Sequence, residues 1–182
     1  MEFNSIQEYS SRIKNIIISE NEIKTKISEA GKYIDSLYDG KPIVLVSILK
    51  GSFIFLADIA RAVSVPCEIA FMAAKSYYES THSSGLVHIT MDLERNIEGC
   101  HVIIIEDIID TGRTLADVIK LLKSRNPYSL HVITLLDKPE RRLVPLKPDL
   151  SLFTIPDLFV IGYGLDYGEF FRNLPYIAEY KE

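Results

Sequence analysis

VIIIEDIIDTGRT, residues 102–114, begins with four β-branched apolar residues and follows them at once with three carboxylates, Glu106, Asp107 and Asp110, inside five positions. Thr111, Gly112 and Thr114 come next. A buried strand has no use for clustered negative charge, so the acids are expected just past the strand's end, at an opening. Glycine in a strand-to-helix turn lets the backbone approach a ligand. The amides of the first helical turn and two hydroxyls add donors, and together they can cradle a phosphate. The acids suit the remainder of a sugar phosphate, because carboxylates accept hydrogen bonds from sugar hydroxyls and hold Mg²⁺ directly or through water. A bare D-T-G-x-T would also fit an ordinary helix cap, but the preceding strand and acids make the segment far more specific.

The segments around it alternate between strand and helix patterns. Ser19 to Glu22 reads as a capping box, followed by Ile23, Ile27, Ala30, Ile34 and Leu37 at helical spacing until Gly40 and Pro42. IVLVSIL (43–49) has the composition of a strand covered on both faces, and 51–63 reads as a helix. Further strands are expected at 67–77, 86–92, 101–107 and 130–137, and a helix at 114–125. The polar stretch 78–85 is expected to be a mobile loop. This order predicts an α/β fold with a mainly parallel twisted sheet flanked by helices, and ligands at the carboxyl ends of the strands. One domain is expected over 1–182, with a small hood lobe from parts of the N-terminus and about 138–182. The first eighteen residues carry no motif.

The formal net charge of -5 gives no general footprint for nucleic acid. Cys67 and Cys100 belong to no metal-ligand or disulfide pattern, and the four histidines are scattered. Neither a leader pattern nor an apolar run of membrane-spanning length appears, so no membrane partner and a cytoplasmic location are expected. G-x-G-x-x-G and G-x-x-x-x-G-K-[ST] are both missing, which disfavours the common nucleotide folds.

The strand, the acidic pair and the hydroxyl-bearing turn together resemble the purine/pyrimidine phosphoribosyltransferase family of the type I fold. The resemblance implies binding of 5-phosphoribosyl 1-pyrophosphate (PRPP). Glu106 and Asp107 would face the ribose hydroxyls and Mg²⁺, Thr111, Gly112, Arg113 and Thr114 would surround the 5′-phosphate, and Ile108 would lie on the same substrate-binding run.

Four other stretches are similar to the hypoxanthine(-guanine) branch of that family. In SILKGS (47–52), Lys50 supplies a point charge and Gly51 an unhindered backbone. The resemblance implies a pyrophosphate loop there, with a non-proline cis peptide between Leu49 and Lys50. Ser76 and Tyr77 stand at the root of the 75–85 loop, which in the family closes over the site and keeps water from a reactive sugar. Lys138 in LLDKPERR (135–142) would read the purine 6-oxo group. In FVIGYGLDYGEFFRNLPYI (159–177), Phe159 would stack on the base and Val160 offer backbone groups. Asp166 would lie near the metal and pyrophosphate, and Arg172 on the pyrophosphate.

The implied reaction is Mg²⁺-dependent transfer of the phosphoribosyl group to a 6-oxopurine by a homodimer or homotetramer. Glu106, Asp107 and Asp166 would hold the metal. The resemblance also implies that Asp110, where the family places an acid near purine N7, is the general base. The chemistry agrees: a carboxylate beside two others, partly desolvated by the bound base, should accept a proton more readily. Two rivals explain less. A regulator of the same fold that senses PRPP or a purine would be expected to carry a basic face or to lack Asp110. A receiver-like signalling domain accounts for Glu106 and Asp107 but not for D-T-G-x-T, Lys138 or Arg172.

Overall fold

The computed structural model describes residues 5–76 and 87–181. In chain order the elements are α1 (Ile6–Ser11), β1 (Ile13–Ile18), α2 (Glu20–Tyr38), β2 (Ile43–Leu49), α3 (Phe53–Ala62) and β3 (Cys67–Ser76). These are followed by β4 (Val87–Met91), β5 (His101–Ile109), α4 (Arg113–Lys123), β6 (Ser129–Asp137), β7 (Leu150–Thr154), β8 (Val160–Ile161) and β9 (Ile177–Tyr180). Six strands form one sheet in the order β4-β3-β2-β5-β6-β7, parallel except for the antiparallel β3–β4 pair. β1, β9 and β8 form a separate antiparallel sheet.

Alternation along the central strands explains why the large sheet is covered twice. Ile43 and Leu45 of β2 and Ile103 and Ile105 of β5 pack with Ile27, Ile34, Phe55 and Ile59 of α2 and α3. Their neighbours Val44, Val46, Val102 and Ile104 pack on the other face with Leu115, Val118 and Leu122 of α4. A strand buried on both faces reads as a nearly continuous apolar run, and this is the physical content of the IVLVSIL and VIII runs. The one polar residue, Ser47, is buried with its Oγ 2.6 Å from Ser52 Oγ.

Of the three acids only Asp110 lies past the end of the strand; the expected span 101–107 already took in Glu106 and Asp107. Glu106 and Asp107 are inside β5, which continues to Ile109. The opening arises because β2 leaves first: its pairing with β5 ends at Ser47 and Ile105, whereas β5 stays paired with β6 through Ile109 and Asp137. From residue 106 onward β5 has a neighbour on one side only. From the fork β2 runs through α3 to β3 and β5 through α4 to β6, so it is the switch point where ligands of such sheets collect.

The first eighteen residues contribute α1 and β1, and β1 pairs with β9 to build the small sheet. Two expectations are corrected. β7, which the sequence assigned to the hood, is instead the edge strand of the large sheet, beside β6. Gly51 and Ser52 form a turn ahead of α3 rather than its first residues.

The small sheet closes on a core of its own, with Ile161, Phe171, Ala178 and Tyr180 buried beneath it. Tyr9 of α1 stacks on Phe171 at 4.2 Å between ring centroids, which ties the N-terminus to the C-terminal segment. No helix among the described residues is long and apolar enough to cross a membrane.

The capping box at the start of α2 is present in full: Glu22 N–H donates to Ser19 Oγ at 3.3 Å, and Ser19 N–H donates to Glu22 Oε2 at 2.8 Å. Ser19→Ala removes one of the two and is expected to lower unfolding free energy by about 1 kcal/mol, read from denaturant midpoints.

Candidate active site

Two cavities meet at the fork. The first, of about 270 Å³, is lined by Lys50, Gly51, Glu106, Asp107 and the turn Thr111, Gly112 and Thr114, with Ile48, Leu49 and Ala74 on its far wall. The second, of about 470 Å³, is lined by Lys138, Arg141, Asp157, Phe159, Val160, Leu165 and Asp166. Asp107, Ile108 and Asp110 line both. The last residues of β5 are therefore the partition between the two compartments.

Gly51 is set by what faces it. A Cβ at this position would lie 1.5 Å from Asp107 Oδ2, so no other residue leaves the carboxylate in place. The peptide bond between Leu49 and Lys50 is cis. On the opposite wall Gly112, at φ +79, begins α4 with no side-chain cap. The Arg113 amide reaches Thr111 Oγ1 only at 3.5 Å, the limit of a hydrogen bond, so the first turn retains donor capacity toward the cavity.

The acids are in an unusual electrostatic state. Burial, and then the neighbouring Asp107, push the Glu106 carboxyl well above the ordinary carboxylate range, and its Oε2 is buried with no hydrogen-bond partner. Asp107 is pushed up to about 6, mainly by burial; hydrogen bonds from backbone amides, Ile108's at 2.8 Å among them, and then the Arg172 guanidinium pull the other way. Asp110 Oδ1 is also buried without an aligned donor, and Arg141 Nε lies beside it at 2.7 Å. Arg142 fixes the backbone there, donating from Nη1 to the Asp110 carbonyl at 2.7 Å and pairing with Asp137.

A matching set of cations lines the rim. Lys138 is buried and donates to the Leu158 carbonyl at 2.5 Å, with Asp157 3.7 Å away. Arg172 donates from Nη1 to the Gly164 carbonyl at 2.8 Å and pairs through Nη2 with Asp166 at 2.9 Å. Phe159 is half exposed, its ring edge-on to Tyr167 and Tyr180.

A family model for the phosphoribosyl transferase domain matches residues 11–168. The chain belongs to the phosphoribosyltransferase family. Over 170 residues it is 45% identical to a hypoxanthine-guanine phosphoribosyltransferase of Streptococcus pneumoniae, covering 93% of this chain and 94% of the relative. Over 168 residues it is 47% identical to a hypoxanthine phosphoribosyltransferase of Haemophilus influenzae, covering 91% and 94%. A crystal structure of a hypoxanthine phosphoribosyltransferase from Staphylococcus aureus superposes with a TM-score of 0.91 at 43% identity, covering 99% of this chain and 97% of that one. The fold is thus that of the type I phosphoribosyltransferases.

Most of the residues singled out in this phosphoribosyltransferase's sequence line one compartment or both. Arg113 and Arg172 line neither: the Arg113 side chain is exposed, and Arg172 acts on the site through Asp166 and the field at Asp107. Ser76 is the last residue of β3, and Tyr77 lies outside the described residues. Glu106, Asp107 and Asp166 do not form a preformed metal cage; among the described residues no three acidic, histidine or cysteine side chains converge on one point. Asp107 is turned onto Gly51 and the Ile108 amide, and Asp166 takes the Glu169 amide and Arg172. The donors still fit Mg²⁺, which prefers oxygen and commonly binds through one or two carboxylates, with substrate oxygens and water completing the shell. The orphaned Glu106 Oε2 is an acceptor of the required kind.

Arg141, Asp157 and Glu169 were not foreseen. A charged pair such as Arg141–Asp110 leaves no spacing signature when its partners come from the segments that follow two different strands.

Because Asp107 is raised in the folded chain, unfolding lets it ionise more easily, and stability attributable to it is lost as pH rises from its ordinary value of 3.8 toward about 6. In metal-free protein, Asp107→Asn is expected to raise the unfolding temperature at pH 8 by about 2 to 4 °C. The gain should shrink toward zero at pH 4. A gain independent of pH would contradict the buried-charge account.

Proposed function

We propose that the chain transfers the 5-phosphoribosyl group of PRPP to N9 of hypoxanthine, and of guanine, releasing IMP or GMP and pyrophosphate in purine salvage. The observation that carries this reading is the pair of compartments joined at Asp107, Ile108 and Asp110. One has the acids and the hydroxyl-bearing turn that suit a sugar phosphate. The other has an aromatic face and a buried ammonium that suit a 6-oxopurine.

In this reading Thr111, Gly112 and Thr114, with the backbone of Arg113, hold the 5′-phosphate, and Glu106 and Asp107 accept from the ribose hydroxyls. Lys50, Gly51 and Arg172 serve the pyrophosphate. Ser76, the last residue of β3, and Tyr77 are assigned to substrate binding in the same reading. Mg²⁺ held through Glu106, Asp107 and Asp166 would add positive charge against the departing pyrophosphate. Breaking the bond from C1 to oxygen builds positive charge on the ribose, and the Glu106 and Asp107 carboxylates would stabilise it.

Phe159 stacks on the base, and the backbone at Val160 borders its edge. Lys138 has three donors and uses at most two in the contacts described, so one remains for a 6-oxo group. Adenine presents an amino donor there instead and leaves the ammonium unpaired, a mismatch that discriminates strongly in a buried site. Asp110 accepts the imidazole proton as N9 attacks, once Arg141 gives up its ion pair with Oδ1. A homodimer or homotetramer and a cytoplasmic setting belong to the same reading and rest on family membership.

The test is nucleotide formation from PRPP and Mg²⁺ with hypoxanthine, guanine, xanthine or adenine offered singly. Hypoxanthine and guanine are expected to give product and adenine none; product from adenine alone would overturn the role of Lys138. Asp110→Asn is expected to cut turnover by about 10² or more with little change in PRPP affinity. Unchanged turnover would discard Asp110 as the base.

A further inference from the structure

Lys50 and Arg172, the two cations assigned above to pyrophosphate, share a carboxylate that the proposed reaction does not use. Glu169 Oε2 lies 3.0 Å from Lys50 Nζ and 3.2 Å from Arg172 Nη2. One oxygen therefore bridges a lysine from the turn before α3 and an arginine from the C-terminal segment.

The fold holds it there. Glu169 sits in the left-handed region at φ +74, which a residue with a side chain adopts only when its surroundings impose it. Its amide is fixed to Asp166 Oδ2 at 2.8 Å, and a backbone bridge between Tyr167 and Phe170 closes the turn. Lys50 first, and then Arg172, hold its carboxyl below the ordinary glutamate range, so it stays ionised at neutral pH.

Its strength also matters. The side chains of Lys50 and Glu169 are 65% and 63% exposed, and an ion pair so open to water is weak. A buried pair would shut a polyanion out, whereas this one gives way to a ligand that brings several charged oxygens to the same cations.

We infer that Glu169 competes with the pyrophosphate group for Lys50 and Arg172, neutralising the two cations between turnovers and hastening departure of the product. The inference rests on the phosphoribosyl-transfer reading, and it assigns Glu169 to positioning and release, outside the bond-making step.

Glu169→Gln keeps the shape and removes the charge. Titrated with inorganic pyrophosphate and Mg²⁺ in a calorimeter, the variant is expected to bind about threefold to tenfold more tightly than the native chain. Dissociation should slow to match, the difference should shrink in high salt, and affinity for hypoxanthine should be unchanged. If the glutamate merely shaped the turn, the variant would bind pyrophosphate more weakly, and that result overturns the inference. Equal affinity in two chains that both bind also overturns it and leaves phosphoribosyl transfer standing. A native chain that takes up no pyrophosphate with Mg²⁺ removes the functional reading and this inference together.

Discussion

The Asp107 carboxylate rests against the bare Cα of Gly51, in the place where any other residue would carry its side chain. That contact joins the turn after β2 to the acidic end of β5 just where the two strands part. A third element closes on the same point: a Cβ on Gly164 would lie 2.0 Å from the Gly51 carbonyl oxygen, so the C-terminal segment reaches the turn only because residue 164 is glycine. Tyr163, the preceding residue, donates its hydroxyl to Asp58 of α3, and Arg172 takes the Gly164 carbonyl. Sheet, helix and hood are thus registered against each other within a few residues, and the proposed pyrophosphate site is made of all three.

The charges follow from that geometry. Continuing β5 past its last contact with β2 places Glu106 and Asp107 where water is scarce, and the raised carboxyl groups are the electrostatic consequence. An unpartnered buried acceptor such as Glu106 Oε2 costs about 1 to 3 kcal/mol, which a folding-only design would avoid. Hydroxyl groups from a sugar would offset that cost on binding. Exposed cations are kept at the rim instead, on Lys50 and Arg141, where they remain solvated and exchangeable, while Arg172 is held largely buried by Gly164 and Asp166.

How much of this the sequence disclosed depends on the range of the interaction. The acids, the hydroxyl turn and the glycine at 51 were legible because each is a local pattern tied to an apolar run. That the opening is made by β2 departing rather than by β5 ending was not, because the point where two strands part leaves no local pattern in either. β1 was missed because IKNIII alternates poorly and draws its pairing from β9 at the far end of the chain. β7 was placed in the wrong lobe because five residues at a sheet edge carry little periodicity. Arg141 and Glu169 escaped for another reason: an exposed charge beside a motif reads as solvated surface until its partner is known.

The loop after β6 shows why recognition of the base and removal of its proton are coupled in the proposed mechanism. Lys138, Arg141 and Arg142 lie within five residues, and each has a different task. Arg142, anchored by Asp137, grips the Asp110 backbone carbonyl, so the base is located from the main chain. Arg141 lies beside the Asp110 carboxylate and is shared with Asp157, so its hold on the reactive oxygen can be released without disturbing that location. Lys138, buried at the start of the same loop, lines the compartment proposed for the purine. A purine whose 6-position satisfies Lys138 is brought to Asp110 at the distance the backbone sets, whereas one that leaves the ammonium unpaired is not held there. Selectivity and catalysis are then two results of one loop pinned to the end of β5.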